Sequence, residues 1–214
     1  MTNYPVAMIR GARFLAIGLA GCLAVSLYGA ETPAGASRFY LTADPAISWT
    51  ESASFTVGTG TGEFRFYPGP RLDVGLGYKL TSWLAFELEA GAAYNPVHTV
   101  EPDGSENNSL RLVQRFAMPN AVLQVPLGHR IHVFAGAGCG GVFTSIQRWF
   151  EPSDELSGSD IVFGYQGFAG CRYDFDSRIA VGAAYRLLQT DDHSFDHLGG
   201  LRTHSLSLSL SVKF

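Results

Sequence analysis

The stretch His204-Ser-Leu-Ser-Leu-Ser-Leu-Ser-Val-Lys-Phe214 constrains the fold more than any other part of the chain. Side chains of a strand alternate between two faces. Leu206, Leu208, Leu210, Val212 and Phe214 therefore share one face, and Ser205, Ser207, Ser209, Ser211 and Lys213 share the other. The i, i+3, i+4 spacing of an amphipathic helix does not compete with this alternation.

The same alternation recurs along the chain in eight segments. They are Arg38–Trp49, a segment ending Arg71–Tyr78, Trp83–Asn95, Leu110–Val125, Ile131–Arg148, Ile161–Phe175, Arg178–Thr190 and Leu201–Phe214. Pro119 interrupts the fourth, where a bulge is expected and the inner face is hard to assign. Three connections are tight: Leu80–Ser82, Pro126–Arg130 and Phe175–Ser177. Four are long: Thr50–Glu63, Asn95–Ser109, Trp149–Asp160 and Asp191–Gly200. Short and long connections alternate strictly. That is the asymmetry of a transmembrane barrel with short periplasmic turns and long extracellular loops.

Ahead of the strands, Arg10 and Arg13 precede an apolar run, Phe14 to Tyr28, and small residues end in Ala34-Gly35-Ala36. Residues 1–36 are read as a cleaved secretory leader, with the barrel occupying 37–214. Leu19-Ala-Gly-Cys22 resembles a lipoprotein lipidation box, but the apolar run continues past Cys22, so this cysteine is expected to leave with the leader. The remaining chain carries 13 basic and 18 acidic residues. A formal net charge of −5 and no basic stripe argue against a nucleic-acid partner.

Alternation alone fits a soluble barrel equally well, with its apolar face inside. Three features decide the orientation. The polar face is built of Gly, Ala and Ser with isolated charges, among them Gly75, Gly77, Gly91, Gly136, Gly138, Gly140, Gly164, Gly170 and Gly182. Such a face suits a narrow interior rather than water. Trp49, Trp83, Tyr78, Tyr94, Phe163 and Phe175 lie near strand ends, where aromatic girdles meet the interface. The leader and the terminal Phe214 accompany the pattern. The predicted fold is all-β, an eight-stranded antiparallel transmembrane β-barrel. Parity then turns Arg71, Asp73, Glu87, Glu89, Arg172 and Arg186 inward, joined by Arg65 if the register survives Pro68 and Pro70. Asp73 and Glu89 are expected nearly opposite one another, with the arginines as partners. Either these charges plug the barrel as ion pairs or they line a narrow pore, and an eight-stranded interior favours the plug.

Phe134-Ala-Gly-Ala-Gly-Cys-Gly-Gly-Val-Phe143, preceded by the proline-containing Met118–Pro126, resembles a strand of the small eight-stranded outer-membrane barrels, the OmpA-like and opacity-type surface proteins. The ending Ser211-Val-Lys-Phe214 is similar to the signal read by the outer-membrane assembly machinery. The resemblance covers the whole mature chain. It implies an integral outer-membrane location, outer-membrane lipid and lipopolysaccharide as surroundings, and the assembly machinery as a partner of Phe214. It brings no catalytic residue, cofactor or metal.

Cys139 and Cys171 share the outward parity. If their hairpin is symmetric about Glu155 they face each other, and an oxidising periplasm permits a disulfide. Directly cross-strand disulfides are strained, so two lipid-facing thiols are the competing reading. Asp191-Asp-His-Ser-Phe-Asp-His197 could hold a divalent cation, yet its spacing is that of an ordinary solvated loop. Glu101, Asp103 and Glu106 of the second long loop and Glu151, Asp154, Glu155 and Asp160 of the third extend this acidic rim. A lipid A-modifying enzyme is the alternative class, through His193-Ser194 or His204-Ser205, but no carboxylate is expected beside either histidine. The expected role is structural or interactive: envelope integrity, adhesion or binding through the loops.

Overall fold

The computed structural model describes residues 38–57, 60–100, 106–148, 159–193 and 199–214. The expected leader, with Cys22, lies outside these residues. So do Glu101, Asp103, Glu151, Asp154, Glu155 and His197 of the acidic loops. Ten strands are described: β1 (Phe39–Thr50), β2 (Ala53–Val57), β3 (Gly60–Phe66), β4 (Gly69–Lys79), β5 (Leu84–Val100), β6 (Glu106–Pro126), β7 (Ile131–Arg148), β8 (Ser159–Asp174), β9 (Ile179–Thr190) and β10 (Arg202–Lys213).

Eight of them, β1 and β4 to β10, close into an antiparallel barrel, with β10 pairing back onto β1. Closure leaves no unpaired edge around the wall, the condition a β-structure must meet to cross hydrocarbon. The wall is turned apolar side out. Leu206, Leu208, Leu210 and Val212 are exposed, Leu208 to 70%, while Ser205, Ser207, Ser209 and Ser211 are buried inside. Tight turns and the C-terminus share one end. The strand ends that lead into the long connections share the other.

The first long connection is largely strand. The β2–β3 hairpin rises above the barrel and leans on the upper part of β5, pairing Phe66 with Val97 and Glu63 with Val100. Between β3 and β4 the chain breaks at Tyr67-Pro68 and its parity flips. Phe64 is buried above the break, as are Arg71 and Asp73 below it, while Arg65 is exposed beside Glu63 at 2.9 Å. Arg65 therefore does not join the interior, because the register does not survive the prolines. Asn95 bridges the break, donating to the carbonyls of Tyr67 and Ser48 at 3.0 Å each. A Cβ on Gly69 would overlap the Tyr94 carbonyl, so only glycine permits this close approach of the two chains.

Pro119 produces no bulge. Alternation runs through it, with Met118 and Asn120 buried on either side, and Pro119 keeps its place opposite Leu88. Only the β6–β7 ladder lapses, between Ala117–Gly141 and Asn120–Gly138, and it resumes without a register shift. Proline lacks an N–H donor, so the cost falls on the ladder rather than on the register. The irregularity lies instead in β5, between Val97 and Thr99.

Candidate functional site

The barrel interior is layered, and the inner face of β6 lists the layers in order. Val122 lies towards the tight-turn end with Tyr40, Ala85 and Phe168. Asn120 belongs to a charged midsection. Met118 and Phe116 pack with Val142, Val162 and Leu188. Gln114 accepts from Thr203 at 3.0 Å, and Thr203 also bonds Thr50. Leu112 and Leu110 close the loop end with Phe64, Val97, Ile146 and Leu201. Val142, Val162 and Leu188 share the inward parity of Gly140, Gly164 and Arg186, whereas the β6 members of these layers follow only from the structure, because the inner face of that segment is hard to assign around Pro119.

The midsection centres on Arg186. Its guanidinium lies on both carboxylate oxygens of Glu89. It also sits 3.7 Å from Asp73 and 3.8 Å from Asp44. Arg71 donates through Nε to both oxygens of Asp73 at 2.9 Å and lies 3.8 Å from Glu89. Two amides complete the cluster. Asn120 donates to Glu89 at 3.0 Å, and Gln166 donates to Asn120 at 2.8 Å while accepting from Arg186 at 3.0 Å. Burying charges is tolerated only when each finds such partners. Asp73 and Glu89 are not directly opposite: Asp73 pairs with Gly91 and Glu89 with Gly75, a diagonal offset that lets both reach the two arginines.

The remaining predicted inner charges sit nearer the tight turns. Arg172 lies over the rings of Phe134 at 5.2 Å and Tyr40 at 5.7 Å, a cation–π arrangement rather than a place in the Arg186 cluster. Glu87 is buried with its carboxyl over Gly75. Thr42, Asp44, Glu87, Arg172, Arg186 and Ser209 line a pocket between these groups with room for about one water molecule. Asn120, Gln166 and Asp44 escaped the sequence reading. Their only signal is an isolated polar residue of inward parity.

Inner glycines make the space. A Cβ at Gly77 would overlap the Tyr40 ring, one at Gly91 both Asp73 and Phe116, and one at Gly136 the Phe168 ring. This matching also sets the β7–β8 register, in which Phe168 falls opposite Gly136 and Phe134 opposite Gly170. The register puts Cys139 opposite Tyr165 and Cys171 opposite Val133. Both cysteines are exposed on the outer wall and free. They do not face each other, because ring-over-glycine packing, rather than symmetry about Glu155, aligns the hairpin.

On the outer wall His204 has a fixed carboxylate beside it, contrary to the expectation from parity. Its Nε2 donates to the Glu51 carboxylate at 3.0 Å, and its Nδ1 is hydrogen-bonded to the Tyr185 hydroxyl at 2.6 Å. The ring stacks on Trp49 at 5.7 Å and 11°. The hydrogen bond from His204, with Arg202 alongside, holds the Glu51 carboxyl below the ordinary carboxylate range. Ser205 points the other way, into the barrel, so no Ser–His pair forms here. His193, above β9, is buried, and burial pulls its imidazole below the ordinary histidine value. At the opposite end Phe214 stacks on Phe39 at 6.3 Å and donates its backbone N–H to the Phe39 carbonyl.

Among solved structures, the chain is similar to Neisserial surface protein A, at 20% identity and TM-score 0.58, covering 84% of this chain and 99% of that one. It is similar to the outer membrane protein OprG from Pseudomonas aeruginosa, at 12% identity and TM-score 0.60, covering 84% and 96%. It is also similar to the outer membrane protein AlkL, at 17% identity and TM-score 0.52, covering 88% and 96%. At such identities the likeness is one of fold. A search of curated proteins gives no match. The outer membrane protein beta-barrel domain family matches residues 20–214. With that match and a closed barrel turned apolar side out, this chain belongs to the outer membrane protein beta-barrel family and is an integral protein of the outer membrane.

Proposed function

We propose that this protein is a closed, side-chain-filled barrel that works from its surface, in envelope integrity, adhesion or loop-mediated binding, rather than as a pore or a lipid-modifying enzyme. The observation that carries the reading is the bridge from Arg186 on β9 to Glu89 on β5. These strands lie four steps apart by either route round the wall, so the pair crosses the lumen. On the loop side, the Met118–Val142–Leu188 layer and the Phe64–Leu112–Leu201 layer above it supply no charged lining for an ion. The outer histidine works against catalysis: Ser205 is on the inner face, and the hydroxyl that His204 holds is the phenol of Tyr185.

Planar-bilayer recording tests the reading. The purified barrel should carry little steady current, and a stable open conductance in the unmodified protein would sink it. Two assignments belong with this role. Residues 1–36 act as the export leader, so N-terminal sequencing of membrane-extracted protein should begin at Ser37. Phe214 is read by the assembly machinery, so deleting it should lower the amount of protein reaching the outer membrane.

A further inference from the structure

The outer face of β9, β10 and β1 at the loop end is a graded three-by-three patch. Its lowest row is Tyr185, Leu206 and Ile47, with Leu206 and Ile47 about 60% exposed. Above it run Leu187, His204 and Trp49, and then Gln189, Arg202 and Glu51. Within these rows the wall changes from aliphatic, through aromatic, to charged. The lowest row is where acyl chains end and the top row is where head groups lie.

The polar row is built rather than loose. Arg202 donates through Nε to Gln189 at 3.0 Å and keeps Nη1 3.6 Å from Glu51. Glu51 is pinned in turn by the Nε2 donor of His204 and by its own backbone N–H, which donates to the Arg202 carbonyl at 2.9 Å. Tyr185 fixes the other edge of the imidazole. The guanidinium is thereby held in place while half of its side-chain surface stays open, at 51% exposure. A guanidinium so placed suits the planar, two-pronged recognition of a phosphate. Glu51 beside it disfavours a bare anion. It favours a head group that also brings hydroxyl donors, and the Trp49–His204 stack offers an aromatic edge at the same level.

We propose that this patch binds the phosphorylated sugar head group of an outer-leaflet lipid, Arg202 taking the phosphate, Glu51 and Gln189 the sugar hydroxyls, and the Tyr185–Leu206–Ile47 row the first acyl carbons. A lipid fits better than free phosphate because the exposed Leu206 and Ile47, two rows below Arg202 on the same face, would otherwise have no role in binding. Neither Ser205 nor the barrel interior takes part.

Native mass spectrometry of the full barrel in detergent tests this, titrating bis-phosphorylated lipid A, its dephosphorylated form and phosphatidic acid, with inorganic phosphate as competitor. Lipid A should bind about tenfold more tightly than the dephosphorylated form, the size of one good charged contact. Arg202→Ala, and Arg202→Gln as a second variant, should lose that preference while keeping heat-dependent gel mobility. Equal binding of the two lipid A forms by the unmodified protein would overturn the proposal without any variant. Undiminished preference in a folded Arg202→Ala barrel would do the same. Phosphatidic acid binding as tightly as lipid A would remove the sugar from the assignment. Displacement of lipid A by millimolar inorganic phosphate would remove the lipid.

Discussion

Arg186 and Glu89 meet across the full width of the barrel, from walls four strands apart in either direction. Both side chains are buried, so neither charge has bulk water to fall back on if the other is lost.

Arg186→Leu should therefore destabilise the barrel by about 3–5 kcal/mol, because it leaves Asp73 and Glu89 to share the one guanidinium of Arg71. Urea unfolding from lipid vesicles measures this. Replacing Glu89 by Leu as well should recover much of the loss, since two apolar groups leave one fewer buried charge unpaired. A double variant no more stable than the single one would contradict this account of the cluster.

Gly77→Val places a branched side chain where the Tyr40 ring lies. Overpacking of this kind costs about 1–3 kcal/mol, seen as a lower temperature for loss of heat-dependent gel mobility. Pairing Gly77→Val with Tyr40→Ala should relieve most of it.

Cross-linking reads the β7–β8 register directly. Val133→Cys sets a thiol opposite Cys171, at the Cα separation of about 4.5–5.5 Å found between facing strand residues, and mild oxidation should join them. The unmodified chain should stay reduced and react fully with a membrane-permeant maleimide at Cys139 and Cys171. A Cys139–Cys171 bond in the unmodified chain would disprove the register.

In the β8–β9 turn, Asp176 accepts from the backbone N–H groups of Arg178 and Ile179 at 2.7 Å each. These bonds, led by the one from Ile179, hold its carboxyl below the ordinary aspartate range. A depressed folded value means stabilisation that is complete above the unfolded value, about 3.9, and lost as pH falls through the folded one. Asp176→Ala should accordingly be less stable than the parent at pH 6, and the difference should shrink towards pH 2. A constant difference across that range would assign the turn's contribution to something other than the carboxylate.

Most of the architecture was legible because a lipid-facing wall enforces strict alternation. Leu206 to Val212 and Leu72 to Leu76 are exposed on the outside, as their parity requires. The upper barrel was harder to read. Leu187 and Leu188 are both apolar; the parity of Arg186 turns Leu188 inward, but that it meets Met118 and Val142 there is shown only by the closed barrel. The inner charges Arg71, Asp73, Glu89 and Arg186 could be named from parity, but their partners could not. Asn120 and Gln166 are met only when the barrel closes. Cys139 and Cys171 show the same limit from the other side: parity is local, whereas register depends on which rings lie over which glycines.

The layered interior has a consequence for how such a barrel can be built. Glu89 is on the third wall strand from the N-terminus and Arg186 on the seventh. Glu89 meets Arg71, 3.8 Å away, within its own hairpin, but every carboxylate that Arg186 meets comes from β1, β4 or β5. A chain inserting hairpin by hairpin would carry Arg186 into hydrocarbon with no carboxylate beside it, so the wall should be largely assembled before it sinks. The polar midsection would thus favour the closed barrel over an open one. A barrel that has not closed cannot settle in the membrane, and β10, the strand that closes it, is the last to be made.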